Sequence, residues 1–382
     1  MGVNGFVSFI LATLVLLLPQ TLATYLELSR IDSESRRFPS LMESIVRHRG
    51  GSEKSCLLIR VALFIEPSLD SHLKNNLNLN QTQTSDLMRA YMQQIETIFD
   101  GLKSNSTSKI QFELVDIYFI TSKVDFSSNQ GDIDTLLSKF CLYQASMREK
   151  SPRKWDLGLM LTSQDLYSGE EARYESQEAS SSLMGISPVG GLEWPDLSCS
   201  IVEFGVGYKN FNMKDSSRER VFPSRGLGSI WVSAHEIAHN FGLHHDGHPF
   251  GSSCDPTKWI MAPNSYLNSM GTRWSSCSSA SLDKIGTTRN LKSLCLKTEI
   301  PIRELPGQLF DAQFQCRAFS PHLSGQSIVE SSICNRTLWC MTLANEKVAI
   351  GPALEGTRCG LDGGLICFKS SCQAVNRTTV SY

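Results

Sequence analysis

The stretch Ser233-Ala234-His235-Glu236-Ile237-Ala238-His239-Asn240-Phe241-Gly242-Leu243-His244-His245-Asp246 constrains this chain more than any other. On a helix, four residues advance about 400°, so His235 and His239 project from nearly the same face, roughly 6 Å apart along the axis. That geometry suits two imidazoles on one zinc ion. Glu236 sits beside the first histidine, placed to take a proton from a water. Gly242 can turn the chain out of the helix by adopting a left-handed conformation, which brings His245 back as a third ligand. Three protein ligands leave the fourth position open, the arrangement of a catalytic rather than a structural site. A bare HExxH recurs by chance, but HExxHxxGxxHD fixes three further positions. A structural zinc site would need His244 or His248 as a fourth ligand, and neither has the spacing. His244 should face away, His248 lies in the following turn, and His48, His72 and His322 read as surface residues.

Around this helix the pattern is that of an α/β layer fold. Leu57 to Ile65 is a buried-strand run. Thr84 or Ser85 is expected to cap a helix whose apolar positions Leu87, Tyr91, Ile95, Ile98, Phe99 and Leu102 keep helical spacing. Ile110, Phe112 and Leu114 alternate with Gln111 and Glu113, which predicts a half-exposed strand. Asp134 is expected to cap a helix through Leu136, Leu137 and Phe140. Leu157 to Thr162 reads as another strand, and Leu183 to Ser187 as a short one leading into Gly190-Gly191.

The termini and the cysteines place this fold in a compartment. Phe6 to Leu18 is an apolar run of 13 residues without charge, followed by Pro19 and Thr21-Leu22-Ala23. It falls short of the roughly 18–20 residues that span a bilayer, so a signal peptide over residues 1–23 is expected and no membrane span. All 12 cysteines follow it, and an even count in an oxidising compartment points to disulfides. Asn-x-Ser/Thr acceptors at Asn80, Asn105, Asn335 and Asn376 agree with a secreted, extracellular glycoprotein. With 36 Lys+Arg against 38 Asp+Glu, binding nucleic acid through bulk positive charge is excluded. Residues 24–52, with basic clusters at Arg36-Arg37 and Arg47-His48-Arg49, read as a leader or a short propeptide. Residues 299–382 hold six of the 12 cysteines and few periodic apolar segments, the mark of a small disulfide-stapled module.

The extended motif resembles that of the metzincin zinc endopeptidases, which also carry a methionine turn beneath the metal. Met261, in Lys258-Trp259-Ile260-Met261-Ala262-Pro263, matches that turn. Asp246 after the third histidine and the later Trp274-Ser275-Ser276-Cys277-Ser278 resemble the adamalysin, or reprolysin, family. Upstream, Trp155-Asp156-Leu157-Gly158-Leu159-Met160-Leu161-Thr162 resembles the strand before the active site. Gly185-Ile186-Ser187-Pro188-Val189-Gly190-Gly191 resembles the edge strand, which in that family binds extended substrate antiparallel. In the tail, Leu305-Pro306-Gly307-Gln308-Leu309-Phe310, Gln315-Cys316, Leu338-Trp339-Cys340 and Glu355-Gly356-Thr357-Arg358-Cys359-Gly360 resemble the disintegrin-like module of ADAMTS proteases, as Phe140-Cys141-Leu142-Tyr143-Gln144 resembles another ADAMTS segment.

The resemblance implies a metzincin catalytic domain over 53–298, with a mixed sheet and a zinc-binding helix, and an ADAMTS-like cysteine-rich module over 299–382. It implies a secreted zinc endopeptidase acting on extracellular proteins or peptides, of the sort found in arthropod venom or saliva. Its one zinc ion would be held by His235, His239 and His245, with Glu236 as the acid/base and Gly242, Asp246 and Met261 in support. The alternative is a noncatalytic protein binding through its tail, which would typically have lost Glu236 or a histidine. The resemblance also implies bridges Cys254–Cys277 and Cys199–Cys295. Cys56 is then expected to pair with Cys141, the other reading being an inhibitory thiolate on zinc. Asp156 matches a family calcium ligand, but Arg60 stands near the place of an acidic partner, which leaves calcium open. Oligomeric state is not legible.

Overall fold

The computed structural model describes residues 56–103, 109–121, 132–164, 166, 183–204, 226–248, 253–263, 273–288, 299–301, 304–320, 323–328, 331–360, 364–375 and 379–381. The expected signal peptide, the leader through residue 52, and Cys295 lie outside them.

The centre is a five-stranded sheet. Strand β1 (Cys56–Ile65) lies between β2 (Lys109–Phe119) and β3 (Leu157–Thr162), followed outward by β5 (Cys199–Glu203) and, at the edge, β4 (Gly185–Ile186). The first four run parallel, and β4 is antiparallel to β5, so the sheet is mixed. Side chains alternate across a strand, so one sequence supplies two cores. Ile59, Val61, Leu63 and Ile65 of β1, with Leu157, Leu159 and Leu161 of β3, pack in one cluster with helices α2 (Gln81–Phe99) and α4 (Ser229–Asn240). Ala62, Phe64, Met160 and Ile201 face the other way, onto Leu136 and Phe140 of α3 (Ile133–Lys150) and onto Trp155. Covered on both faces, β3 has all six residues buried, as expected of an unbroken apolar strand in a parallel sheet.

Helix boundaries differ from those expected. A short helix α1 (Pro67–Asn75) precedes α2. Helix α2 starts at Gln81, capped by Asn80 rather than by Thr84 or Ser85. Asn80 Oδ1 accepts from the Gln83 N–H and Gln83 Oε1 accepts from the Asn80 N–H, both at 2.9 Å, forming a capping box. The N-cap of α3 is Asp132, not Asp134. In β2, Gln111 is buried, so the expected clean alternation does not hold.

Two of the expected disulfides are corrected. Cys141 on α3 pairs with Cys199 at the start of β5, which overturns both Cys199–Cys295 and Cys56–Cys141. Spacing in sequence carried no record that α3 lies across the face of β5. Cys254–Cys277 forms as expected.

After α5 (Ser276–Thr288) come the tail elements. These are β6 (Glu299–Pro301), α6 (Pro306–Leu309), α7 (Ala312–Phe319), β7 (Leu323–Ile328), β8 (Trp339–Thr342), β9 (Lys347–Ala349), β10 (Arg358–Cys359), β11 (Leu365–Phe368), β12 (Ser371–Ala374) and β13 (Thr379–Ser381). They form sheets of two and three strands. Bridges Cys316–Cys340, Cys334–Cys367 and Cys359–Cys372 run through their small core. The tail also completes the main core, because Phe310, Ala318 and Leu354 belong to the same cluster as α2 and α4. The Glu355 N–H donates to Gln94 Oε1 on α2 at 2.8 Å. Among the described residues no helix is long and apolar enough to cross a membrane.

Candidate metal centre

Helix α4 presents His235, Glu236 and His239, and a sharp turn supplies His245. Phe241 caps the helix, and Gly242 follows with φ of 96°, a conformation that glycine adopts without steric cost. The helix is held at its other end by Tyr91 of α2, whose hydroxyl bonds Ser229 Oγ at 2.9 Å and Ser233 Oγ at 2.8 Å.

The three histidine Nε2 atoms converge. His235 and His239 are 3.0 Å apart, and each is 3.1 Å from His245. These contacts are not hydrogen bonds. Nδ1 of His235 donates to the Ile260 carbonyl at 2.6 Å, and Nδ1 of His239 donates to the Leu243 carbonyl at 2.7 Å. With the proton on Nδ1, the Nε2 of each is a bare lone pair, and lone pairs aimed at one point repel unless a cation sits there. The separations approach the edge, about 3.3–3.4 Å, of a tetrahedron with zinc–nitrogen arms of about 2.0–2.1 Å. Burial holds His235 down to about 4 and His239 down to about 2, and lowers His245, so all three are neutral and free to ligate. The donor set fits zinc.

Glu236 lies beside this triad, 5% exposed, and burial pushes its carboxyl up to about 8 while the Ser187 hydroxyl draws it back. A cation at the triad would lower it again. Its Oε2 has no hydrogen-bond partner among the described residues. Sequence reasoning missed the surroundings of this carboxylate: Gly185 and Ser187 of the edge-strand segment, and Val232 one turn earlier on α4.

Met261 is fully buried, and its carbonyl accepts from the Asp246 N–H at 2.8 Å. Asp246 Oδ1 in turn accepts from Ser275 Oγ at 2.7 Å, which ties the residue after His245 to the segment containing Trp274. His244 is exposed and stacks on His248 with ring centroids 5.4 Å apart, and neither belongs to the converging triad. Asp156 is engaged by Arg60, with Nη2 to Oδ1 at 2.9 Å and Nε to Oδ2 at 3.0 Å. The chain's own guanidinium therefore occupies the carboxylate that calcium would need, and the residues here do not support a calcium site.

Residues 70–275 match metallo-peptidase family M12, and residues 306–373 match the ADAMTS cysteine-rich domain 2. The chain is 30% identical over 240 residues to mouse "A disintegrin and metalloproteinase with thrombospondin motifs 16", covering 60% of this chain and 17% of that protein. It is 26% identical over 368 residues to the human protein with thrombospondin motifs 18, covering 93% and 26% respectively. The chain thus spans about a quarter or less of these curated relatives. A crystal structure of archaemetzincin from Methanopyrus kandleri superposes with a TM-score of 0.33 at 14% identity, over 60% of this chain and 96% of that one, too low a score to argue from.

Proposed function

Because this chain belongs to metallo-peptidase family M12, we propose that it is a secreted zinc endopeptidase that hydrolyses peptide bonds in extracellular proteins. The observation that carries the reading is the convergence of three neutral imidazoles, the tautomers of His235 and His239 fixed by main-chain carbonyls, beside a buried carboxylate. His235, His239 and His245 hold the metal. Zinc there supplies Lewis-acid polarisation of the scissile carbonyl and eases deprotonation of water. Glu236 accepts the proton of the attacking water and delivers it to the leaving amine. Strand β4, at the sheet edge, offers main-chain groups to an extended substrate running antiparallel to it. Glu236 and all three histidines are retained, which argues against a binding protein that acts through the tail alone.

Secretion is supported by disulfides at Cys141, Cys199, Cys254, Cys277 and six tail cysteines, which belong to an oxidising compartment. Of the glycosylation acceptors, Asn80 and Asn335 are exposed. In this reading residues 1–23 are the signal peptide and 24–52 a short propeptide or leader; 53–298 form the catalytic domain and 299–382 the cysteine-rich module that buttresses it.

The test is cleavage of a diverse peptide library by the purified protein, read by mass spectrometry. Internal cleavage that disappears with a chelator and returns on adding zinc is expected. Cleavage indifferent to the chelator, or none with zinc bound, would overturn the reading.

A further inference from the structure

Gly185 is the first residue of the edge strand, paired with Val202 of β5. It is not among the glycines with positive φ, so its backbone conformation is one that any residue adopts. Its pairing in the sheet likewise does not call for glycine, since side chains stand out from the pleat. What excludes a side chain is Glu236. A Cβ built at Gly185 would lie 2.8 Å from Glu236 Cγ, 2.9 Å from Glu236 Oε1 and 3.0 Å from Val232 Cγ1. Carbon atoms in contact settle at about 3.5–4.0 Å, so at least one of the two would have to move. Val232 is buried on the same helix, and both its position and that of Glu236 are fixed by α4. The carboxylate has more freedom than the helix, and its Oε2 has no hydrogen bond among the described residues to hold it in place. Ser187, one residue beyond the end of the strand, has its hydroxyl within reach of the same carboxylate and bonded to Ser200 Oγ at 2.7 Å.

We propose that Gly185 is a positioning residue for the reaction: the missing side chain is the space in which the Glu236 carboxylate rests beside the three histidines. The edge strand then has two roles. Its main chain receives substrate, and its first residue sets where the acid/base stands. This inference rests on the reading of Glu236 as acid/base given above.

Gly185→Ala would displace the carboxylate by a fraction of an ångström to about 1 Å. A misplacement of that size costs up to about 100-fold in rate. The expected result is a fall in kcat of roughly 10- to 100-fold, with zinc content unchanged and KM changed much less, because the main-chain groups of β4 remain. Melting of the zinc-loaded protein supplies a second cycle that does not depend on activity. Gly185→Ala should lower Tm in the wild-type background and lower it much less in the Glu236→Ala background, where the two Glu236 atoms are gone and Val232 Cγ1 at 3.0 Å is the neighbour that remains. A kcat equal to wild type would overturn the proposal. So would an equal loss of Tm in both backgrounds, which would assign the crowding to Val232 or to the strand. Glu236→Gln run alongside separates the two readings. If Glu236→Gln remains active, the acid/base reading fails; if it is inactive while Gly185→Ala is fully active, only the present inference fails.

Discussion

The main-chain carbonyl of Ile260 accepts a hydrogen bond from Nδ1 of His235 at 2.6 Å. The residue before Met261 thus fixes the tautomer of the first imidazole, while Met261 itself bonds the N–H of Asp246, next to His245. A segment of two residues thus bonds both the first ligand and the neighbour of the third. The Ile260 N–H donates to the Arg273 carbonyl, so the whole turn leans on the strand of chain that leads to Cys277. Carbonyl acceptors of this kind orient a histidine and raise its basicity as a ligand.

The Cys254–Cys277 bridge closes the loop that contains this turn. Chain-entropy arithmetic for a loop of this size gives about 3.5 kcal/mol at 25 °C, out of the roughly 5–15 kcal/mol typical of a domain. The double variant Cys254→Ser/Cys277→Ser is expected to melt at lower temperature and to lose peptidase activity at temperatures where the wild type works. Calorimetry and a peptide assay at matched temperatures check it; unchanged melting and activity would show that the turn does not depend on the bridge.

The ligand assignment separates neighbours in sequence. His245→Ala should abolish activity and lower zinc occupancy, whereas His244→Ala and His248→Ala should leave most of both, because these two stack on each other outside the triad. Elemental analysis of zinc decides it, and full occupancy without His245 would place the third ligand elsewhere.

The chemistry was legible in the sequence because it is local: one helix and one turn bring Nε2 atoms together at HExxHxxGxxH spacing. The buried strand Leu157–Thr162 was legible for the same reason, since both its faces are apolar. Helix starts were misread because the first turn of α2, Gln81–Gln83, is polar and exposed and carries no apolar period; the signal that locates it is Asn80 with Gln83 three residues on. Disulfide partners depend on which elements cross. Cys141 and Cys199 meet only because α3 packs over β5. Gly185 gave no sign of its role either, because the atom that makes it necessary belongs to a helix 51 positions away.

The tail carries its own pH dependence. Glu355 is buried where the tail meets α2, and burial raises its carboxyl to about 7, against hydrogen bonds from the N–H groups of Lys369 and Ser370. A carboxyl raised above its unfolded value of 4.5 binds more protons in the folded state between those values. Stability is therefore full below about pH 4.5 from this group and falls as pH rises toward 7, by a few kcal/mol at most. Glu96 and Asp100, raised by burial, act in the same sense, and His72, lowered by burial, acts against them. Glu355→Gln should flatten, without abolishing, the decline of Tm between pH 5 and about 8 in the zinc-loaded protein. An unaltered slope by calorimetry would mean that Glu355 ionises without cost.

The most direct test of the whole account is the turnover of Glu236→Gln, measured against wild type at equal zinc content with the same peptide substrates. The substitution keeps the shape of the side chain and removes its capacity to take a proton. The account predicts full zinc occupancy and a rate lower by about 10²–10⁴-fold, the usual worth of a positioned acid/base. Comparable cleavage by the two proteins would contradict it.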